Sequence, residues 1–263
     1  MPRSDDRVVC HSWQPTCGLP IFARLAALTR RRRSAVAAAI FLALVSACSP
    51  SQLPSQDTQV ASPPPGLDYV PPAPGTYHLP VIQRAVDGSV LDADGTEHRL
   101  FDYLGDRNVL LGFIYLNCSD AKGCPLANAS FFMLREDLEA DPQLAQDVRL
   151  ISLSFDPDRD TPQAMLQHLG RDYLARPRKD RLWALLTTSS RSDLNPILDG
   201  FSQYIVREVD GSGRETGNLS HVLKVFLIDR ELNVRNVYSS SYLHPAIVIN
   251  DLKTLKLEEV GKG

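Results

Sequence analysis

Two largely apolar runs dominate the middle of the chain, residues 109–116 (VLLGFIYL) and 148–155 (VRLISLSF), the second broken only by Arg149 and two serines. Runs of this length read as strands buried on both faces. Between them Leu126, Phe131, Leu134 and Leu138 recur at helical spacing, which predicts a helix from Pro125 to about residue 140. Strand, helix and strand at this spacing form a βαβ unit, and such a unit implies parallel pairing. Upstream, the Asp87-Gly88 and Asp94-Gly95 pairs sit between short alternating runs and predict an N-terminal hairpin before residues 100–104. Downstream, the pattern predicts a helix through Met165, Leu166 and Leu169 reaching about Leu174. A third short strand at 182–187 follows, then an amphipathic helix at 194–204. A hairpin of 222–228 with 234–238 and a final helix over about 245–257 complete the order. The order is α/β with an antiparallel hairpin near the end.

The remainder of the 263 residues reads as targeting and tether. Arg30 to Arg33 form a basic cluster, residues 34–47 are apolar and Ala-rich but short for a membrane span, and small residues close the segment. The sequence Val45-Ser46-Ala47-Cys48 resembles the lipobox of bacterial lipoproteins, which implies cleavage before Cys48 and acylation of its thiol. Cys10, His11 and Cys17 lie in a leader that such processing would discard. Residues 49–75 are rich in Ser, Pro, Gln and Gly, including Pro63-Pro64-Pro65 and Pro71-Pro72, and read as an extended stalk. The expected organisation is a leader over 1–47, a lipidated cysteine and linker over 48–75, and a folded domain over 76–260.

Charge narrows the partners. Seven of the 28 basic residues and two of the 31 acidic ones precede Cys48, so the rest of the chain carries a formal charge of −8. An acidic domain of this kind is no nucleic-acid binder.

The candidate chemistry lies where the first long strand gives way to its helix, in Cys118-Ser119-Asp120-Ala121-Lys122-Gly123-Cys124-Pro125. Unpaired N–H groups and the positive end of the helix dipole favour a thiolate at Cys124, so its pKa is expected to fall. After the second long strand stands Asp156-Pro157-Asp158-Arg159-Asp160-Thr161-Pro162. It reads as a turn followed by an N-cap at Asp160 or Thr161, with Pro162 opening a helix. His78, His98, His168 and His244 are expected to be solvated or satisfied locally.

The cysteine loop closed by Cys124-Pro125, the DPDRDTP segment after the next strand, and His221 directly before VLKVFLID together resemble the Sco/SenC family. The resemblance spans residues 77–259 and implies a thioredoxin-like fold, a central mixed sheet flanked by helices, with an N-terminal β-hairpin extension. It also implies a domain tethered to a membrane and facing the periplasm, which binds copper and assists assembly of the CuA centre of cytochrome c oxidase. By that resemblance Cys118, Cys124 and His221 are the metal ligands, and Asp156 or Asp160 orients the metal loop or meets the partner, with Asp156 the supporting candidate. Two thiolates suit Cu(I), and an added imidazole also accommodates Cu(II). The implied partners are the oxidase subunit carrying CuA or another cuproprotein, another copper chaperone or a thioredoxin-like reductant, and the membrane through the lipid on Cys48. Family members commonly have three residues between the cysteines; here there are five. A rival function is an extracytoplasmic thiol-disulfide reductase using Cys118 and Cys124. A peroxidase of the peroxiredoxin type shares the fold, but no peroxidatic motif surrounds Cys118.

Overall fold

In the computed structural model, residues 62–118, 120–169 and 181–261 are described, all within the unit Thr58–Gly263. The expected lipobox with Cys48, the cysteines of the expected leader and the extension of the third predicted helix toward Leu174 lie outside the described residues. In chain order the strands are β1 (Gln83–Arg84), β2 (Ser89–Asp92), β3 (Glu97–Arg99), β4 (Asn108–Ile114), β5 (Val148–Ser154), β6 (Trp183–Thr187), β7 (Ile205–Val209), β8 (Glu215–His221), β9 (Val225–Ile228) and β10 (Asn233–Tyr238). The helices are α1 (Cys124–Ala140), α2 (Pro142–Ala145), α3 (Pro162–Leu169), α4 (Arg191–Gly200) and α5 (Pro245–Val260).

Eight strands form one mixed sheet in the order β1-β10-β9-β4-β5-β6-β2-β3. The two long apolar runs became β4 and β5, paired in parallel from Asn108 opposite Val148 to Ile114 opposite Ser154. Every residue of both strands is buried, because strands lie on either side and helices flank the sheet. β5 also pairs in parallel with β6, and β4 runs antiparallel to β9. Phe113 on β4, Phe226 on β9 and Phe201 after α4 pack edge to face with centroids 5.0 to 5.9 Å apart. The expected N-terminal hairpin is β2–β3, and it joins the sheet edge through β6. A buried Arg181–Asp92 ion pair of 2.8 Å secures that corner.

Three features depart from the sequence reading. First, the polar segment between α4 and β9 folds into a separate two-stranded sheet, β7–β8, with Ile205 opposite His221 and a bulge between Arg207 and Val209. Second, the last hairpin begins at Val225 rather than Val222, since residues 222–224 link the two sheets. Third, the distal stalk is not free of the domain. From Pro65 to Leu79 the chain runs alongside α5: the Pro65 carbonyl meets His244 Nε2 at 3.0 Å, and Asn250 Nδ2 donates to the Pro72 carbonyl at 2.9 Å. The Gly75 N–H donates to Thr254 Oγ1 at 3.0 Å, and the Tyr77 hydroxyl donates to Asp251 at 2.6 Å. Proline-rich composition prevents this strap from forming its own core, but its carbonyls remain acceptors for side chains of α5. Among the described residues no helix is long and apolar enough to cross a membrane.

Candidate metal centre

The site lies at the C-terminal end of β4. Beyond Ile114 the chain turns, with the Cys118 N–H donating to the Tyr115 carbonyl at 3.3 Å. The extra loop residues fold on themselves: the Lys122 N–H donates to the Asp120 carboxylate at 3.0 Å, and the Gly123 N–H to the Asp120 carbonyl at 2.8 Å. Gly123 precedes α1, and a Cβ there would lie 3.3 Å from the Asp120 carbonyl and carboxylate and 3.4 Å from Cys118 Sγ. A side chain at this position would press against the sulfur and the turn at once. The five-residue spacing is thereby taken up in a local turn, and both sulfurs remain at the same end of the sheet.

Cys124 is the first residue of α1 and is buried, whereas Cys118 is partly exposed; the two are free thiols. His221 ends β8, its ring packed against Phe155 at 4.7 Å and Tyr115 at 6.3 Å between centroids. One ligand atom from each of Cys118, Cys124 and His221 lies within 4.8 Å of the others, and Cys124 Sγ is 3.6 Å from His221 Nε2. Residues nearly a hundred positions apart in the chain thus converge on one point.

The electrostatics correct one expectation. Burial pushes the Cys124 thiol far above its ordinary value, and the neighbouring Cys118 adds to the shift. The N–H of Tyr115, which donates to Cys124 Sγ at 3.4 Å, opposes it without prevailing. The helix start was expected to lower this pKa, but the dipole is a modest effect and desolvation of a buried sulfur outweighs it. Burial likewise holds the His221 imidazole below its usual value, against the Val222 backbone and the Asp120 carboxylate. The imidazole is therefore neutral at pH 7, the state a metal ligand requires. Its Nδ1 is buried without a hydrogen-bond partner among the described residues.

The segment after β5 supports the site from two sides. Asp160 Oδ2 accepts from the Leu116 N–H at 3.0 Å and from Ser154 Oγ at 2.6 Å, so this carboxylate grips the chain two residues before Cys118. Asp156, the supporting candidate from the sequence, faces elsewhere: its carboxylate pairs with Arg159 at 3.3 Å and with Arg207 of β7 at 3.5 Å. Arg159 also donates to the Gly217 carbonyl of β8 at 2.7 Å. Asp156 therefore braces the hairpin that carries His221, and the contact with the cysteine loop belongs to Asp160. Thr161 supplies the cap, its Oγ1 accepting from the Ala164 N–H at 3.3 Å. Of the other described histidines, His78 pairs with Glu258, His244 caps α5 through Ala246, His98 packs on Tyr103, and His168 is exposed on α3.

Two thiols and a neutral imidazole form a soft donor set with one vacancy relative to a tetrahedral shell. Hard cations, which seek six or more oxygens, find none of their usual ligands in it. Tyr115 was not singled out in the sequence, where it reads only as one more apolar position in a strand. In the structure it touches all three donor residues.

Fold and site together define a thioredoxin-like domain with paired cysteines and a remote histidine at one end of the sheet. A family model described as SCO1/SenC matches residues 88–256, and the chain belongs to that family. Among solved structures it is similar to a SCO1/SenC family lipoprotein from Bacillus anthracis, at 23% identity and TM-score 0.52, covering 66% of this chain and 95% of that one. It is also similar to Bradyrhizobium japonicum ScoI with copper bound, at 21% identity and TM-score 0.51, covering 65% and 98%. A third relative is Arabidopsis thaliana ScoI with copper bound, at 18% identity and TM-score 0.51, covering 66% and 98%. At these identities the likeness is one of fold. No match was found among curated protein sequences.

Proposed function

We propose that the protein is a copper metallochaperone that holds one copper ion through Cys118, Cys124 and His221 and delivers it to the CuA site of cytochrome c oxidase or to another cuproprotein. The observation that carries this reading is the convergence of two sulfurs and an imidazole within 4.8 Å. Copper is cargo here. The two thiolates would hold Cu(I), the imidazole would extend the set to Cu(II), and three donors leave room for a recipient's ligand. Membership of the SCO1/SenC family and fold-level likeness to proteins solved with copper bound support the choice of metal. The lipobox ending in Cys48 supports a periplasm-facing domain anchored by lipid in a bacterial envelope. A copper chaperone or a thioredoxin-like reductant would then load the site or keep its thiols reduced.

Anaerobically purified protein should bind about one copper. His221→Ala should weaken Cu(II) binding by at least about tenfold, since it removes a donor, and should leave thiol reactivity toward a disulfide reagent nearly unchanged. Undiminished Cu(II) binding in the variant would overturn the three-donor site. One observation favours a second reading, a thiol-disulfide reductase: Cys118 is partly exposed while its neighbour Cys124 is buried behind it, an order suited to attack and resolution. That reading takes over if the protein binds no copper yet reduces a disulfide substrate stoichiometrically.

A further inference from the structure

The three donor residues belong to separate parts of the fold, and one side chain lies against all of them. Tyr115 is buried, immediately after β4. Its main-chain N–H donates to Cys124 Sγ at 3.4 Å, and its carbonyl accepts from the Cys118 N–H at 3.3 Å. Its ring stands edge-on to the His221 imidazole, with centroids 6.3 Å apart, and is tilted against Phe155, which packs on the same imidazole. Its hydroxyl donates to the carbonyl of Leu219 at 3.3 Å, two residues before His221 on β8.

The hydroxyl bond matters because of what β8 is. β7 and β8 form a sheet of their own, unpaired with the eight-stranded sheet that carries the cysteine loop. His221 is instead placed by the short link of residues 222–224 to β9, whose Val225 lies opposite Gly112 of β4, and by side-chain bonds between the two sheets, among them Gln203 Nε2 to the Val222 carbonyl at 3.1 Å. The Arg207–Asp156 pair and the bond of Arg159 to the Gly217 carbonyl hold the hairpin from its outer side, where Arg159 is exposed. The Tyr115 hydroxyl holds it from the buried side, next to the donors.

We propose that Tyr115 is a positioning residue for His221, its phenol setting the distance between the histidine-bearing hairpin and the cysteine pair and so the balance of the site between Cu(II) and Cu(I). The proposal rests on the copper reading given above. With the hydroxyl in place, the imidazole stands 3.6 Å from Cys124 Sγ before metal arrives, and little ordering is left to be lost on binding. Without it, β8 loses its bond on the buried side next to His221 while its outer contacts remain, and a form of the site built on two thiolates alone is affected least. The backbone bonds of Tyr115 to the cysteines survive any substitution of its side chain, and although the phenol also lies beside Cys118, its bond to the Leu219 carbonyl is what ties it to the histidine-bearing strand.

The test is Tyr115→Phe in the full chain, which keeps the ring and removes one hydroxyl. Cu(II) affinity should fall about fivefold, the worth of one neutral hydrogen bond, with a changed electron paramagnetic resonance spectrum. Cu(I) affinity should fall less than Cu(II) affinity, because both thiolates keep their backbone bonds to residue 115. Equal weakening of both oxidation states, or no change in either, would overturn the proposal. A metal-free arm separates it from the copper reading. Nitrogen-proton correlation spectra of the histidine rings in apo protein should show the His221 signals shifted or broadened in Tyr115→Phe while those of His244 keep their place. Unchanged His221 signals would sink the proposal even if wild type binds copper. If wild type takes up no copper, the copper reading fails and the ring spectra alone decide whether Tyr115 positions the imidazole.

Discussion

Cys124 shows how a single residue can have its chemistry reversed by depth. At the start of α1 it occupies a place where a thiolate is favoured, yet burial keeps its proton on. Metal binding must then displace that proton, so the site's affinity is linked to pH. The sign follows from the direction of the shift. A thiol whose pKa is raised stays protonated through neutral and mildly alkaline pH, and protons compete with the metal across that whole range. Raising the pH removes the competitor. His221 adds no competition at pH 7, because its own pKa is held below the ordinary value. Cu(I) affinity should rise about tenfold per pH unit for each proton displaced between pH 7 and 9. A competition titration with a chromophoric chelator measures this, and a flat profile would show that Cys124 is not a ligand or is ionised already. At the same scale, Asp160 and Asp156 divide a task that the sequence left to either of them, with Asp156 the supporting candidate. Spacing cannot tell which of two aspartates four residues apart turns toward the cysteine loop; the bonds to Leu116 and Arg207 do.

At the level of elements, legibility followed hydrophobic content. β4 and β5 were evident because a strand buried on both faces needs an unbroken apolar run, and α1 between them followed from its spacing. β9 and β10 were readable for the same reason, with an Asp-led turn between them. The β7–β8 hairpin was missed. Its burial is partial, its residues include Arg207, Glu208, Glu215, Thr216 and Asn218, and most of its anchoring comes from ion pairs rather than apolar alternation. Arg191 grips Glu215 with two bonds of 2.7 and 2.8 Å and also reaches Asp158, tying α4, β8 and the DPDRDTP turn together. His221 was singled out by its place before an apolar strand, but the element that presents it was not. Gly217 in β8 is where this hairpin is most easily disturbed. It adopts φ +91°, and a Cβ there would come within 2.3 Å of the Arg159 guanidinium. Gly217→Ala should cost about 1–2 kcal/mol from the left-handed backbone alone and should displace Arg159 from the hairpin. Urea unfolding measures the first effect and Cu(II) titration the second. An unaltered unfolding midpoint would show that the hairpin carries none of the domain's cooperativity.

For the whole molecule, the boundary of the folded unit differs from the composition-based one. The Pro-rich stretch reads as a linker up to residue 75, since it has too little apolar surface for a core of its own. Instead its distal part borrows partners from α5, through His244, Asn250 and Thr254. Composition reports whether a segment can fold alone, and it is silent on whether a neighbouring helix offers donors at the right intervals. A fragment starting at Thr76 should therefore be less stable than one starting at Ser62, by about 1–2 kcal/mol for three partly exposed hydrogen bonds. Parallel urea titrations of the two fragments give the difference, and coincident curves would mean that the strap adds nothing to stability.

The docked strap also changes how far the domain can travel from any point to which its N-terminal side is fixed. Residues 62–75 at full stretch would span roughly 45–50 Å. Held against α5, they contribute none of that reach. For a domain anchored as proposed, a recipient's site would therefore have to lie that much closer to the anchor.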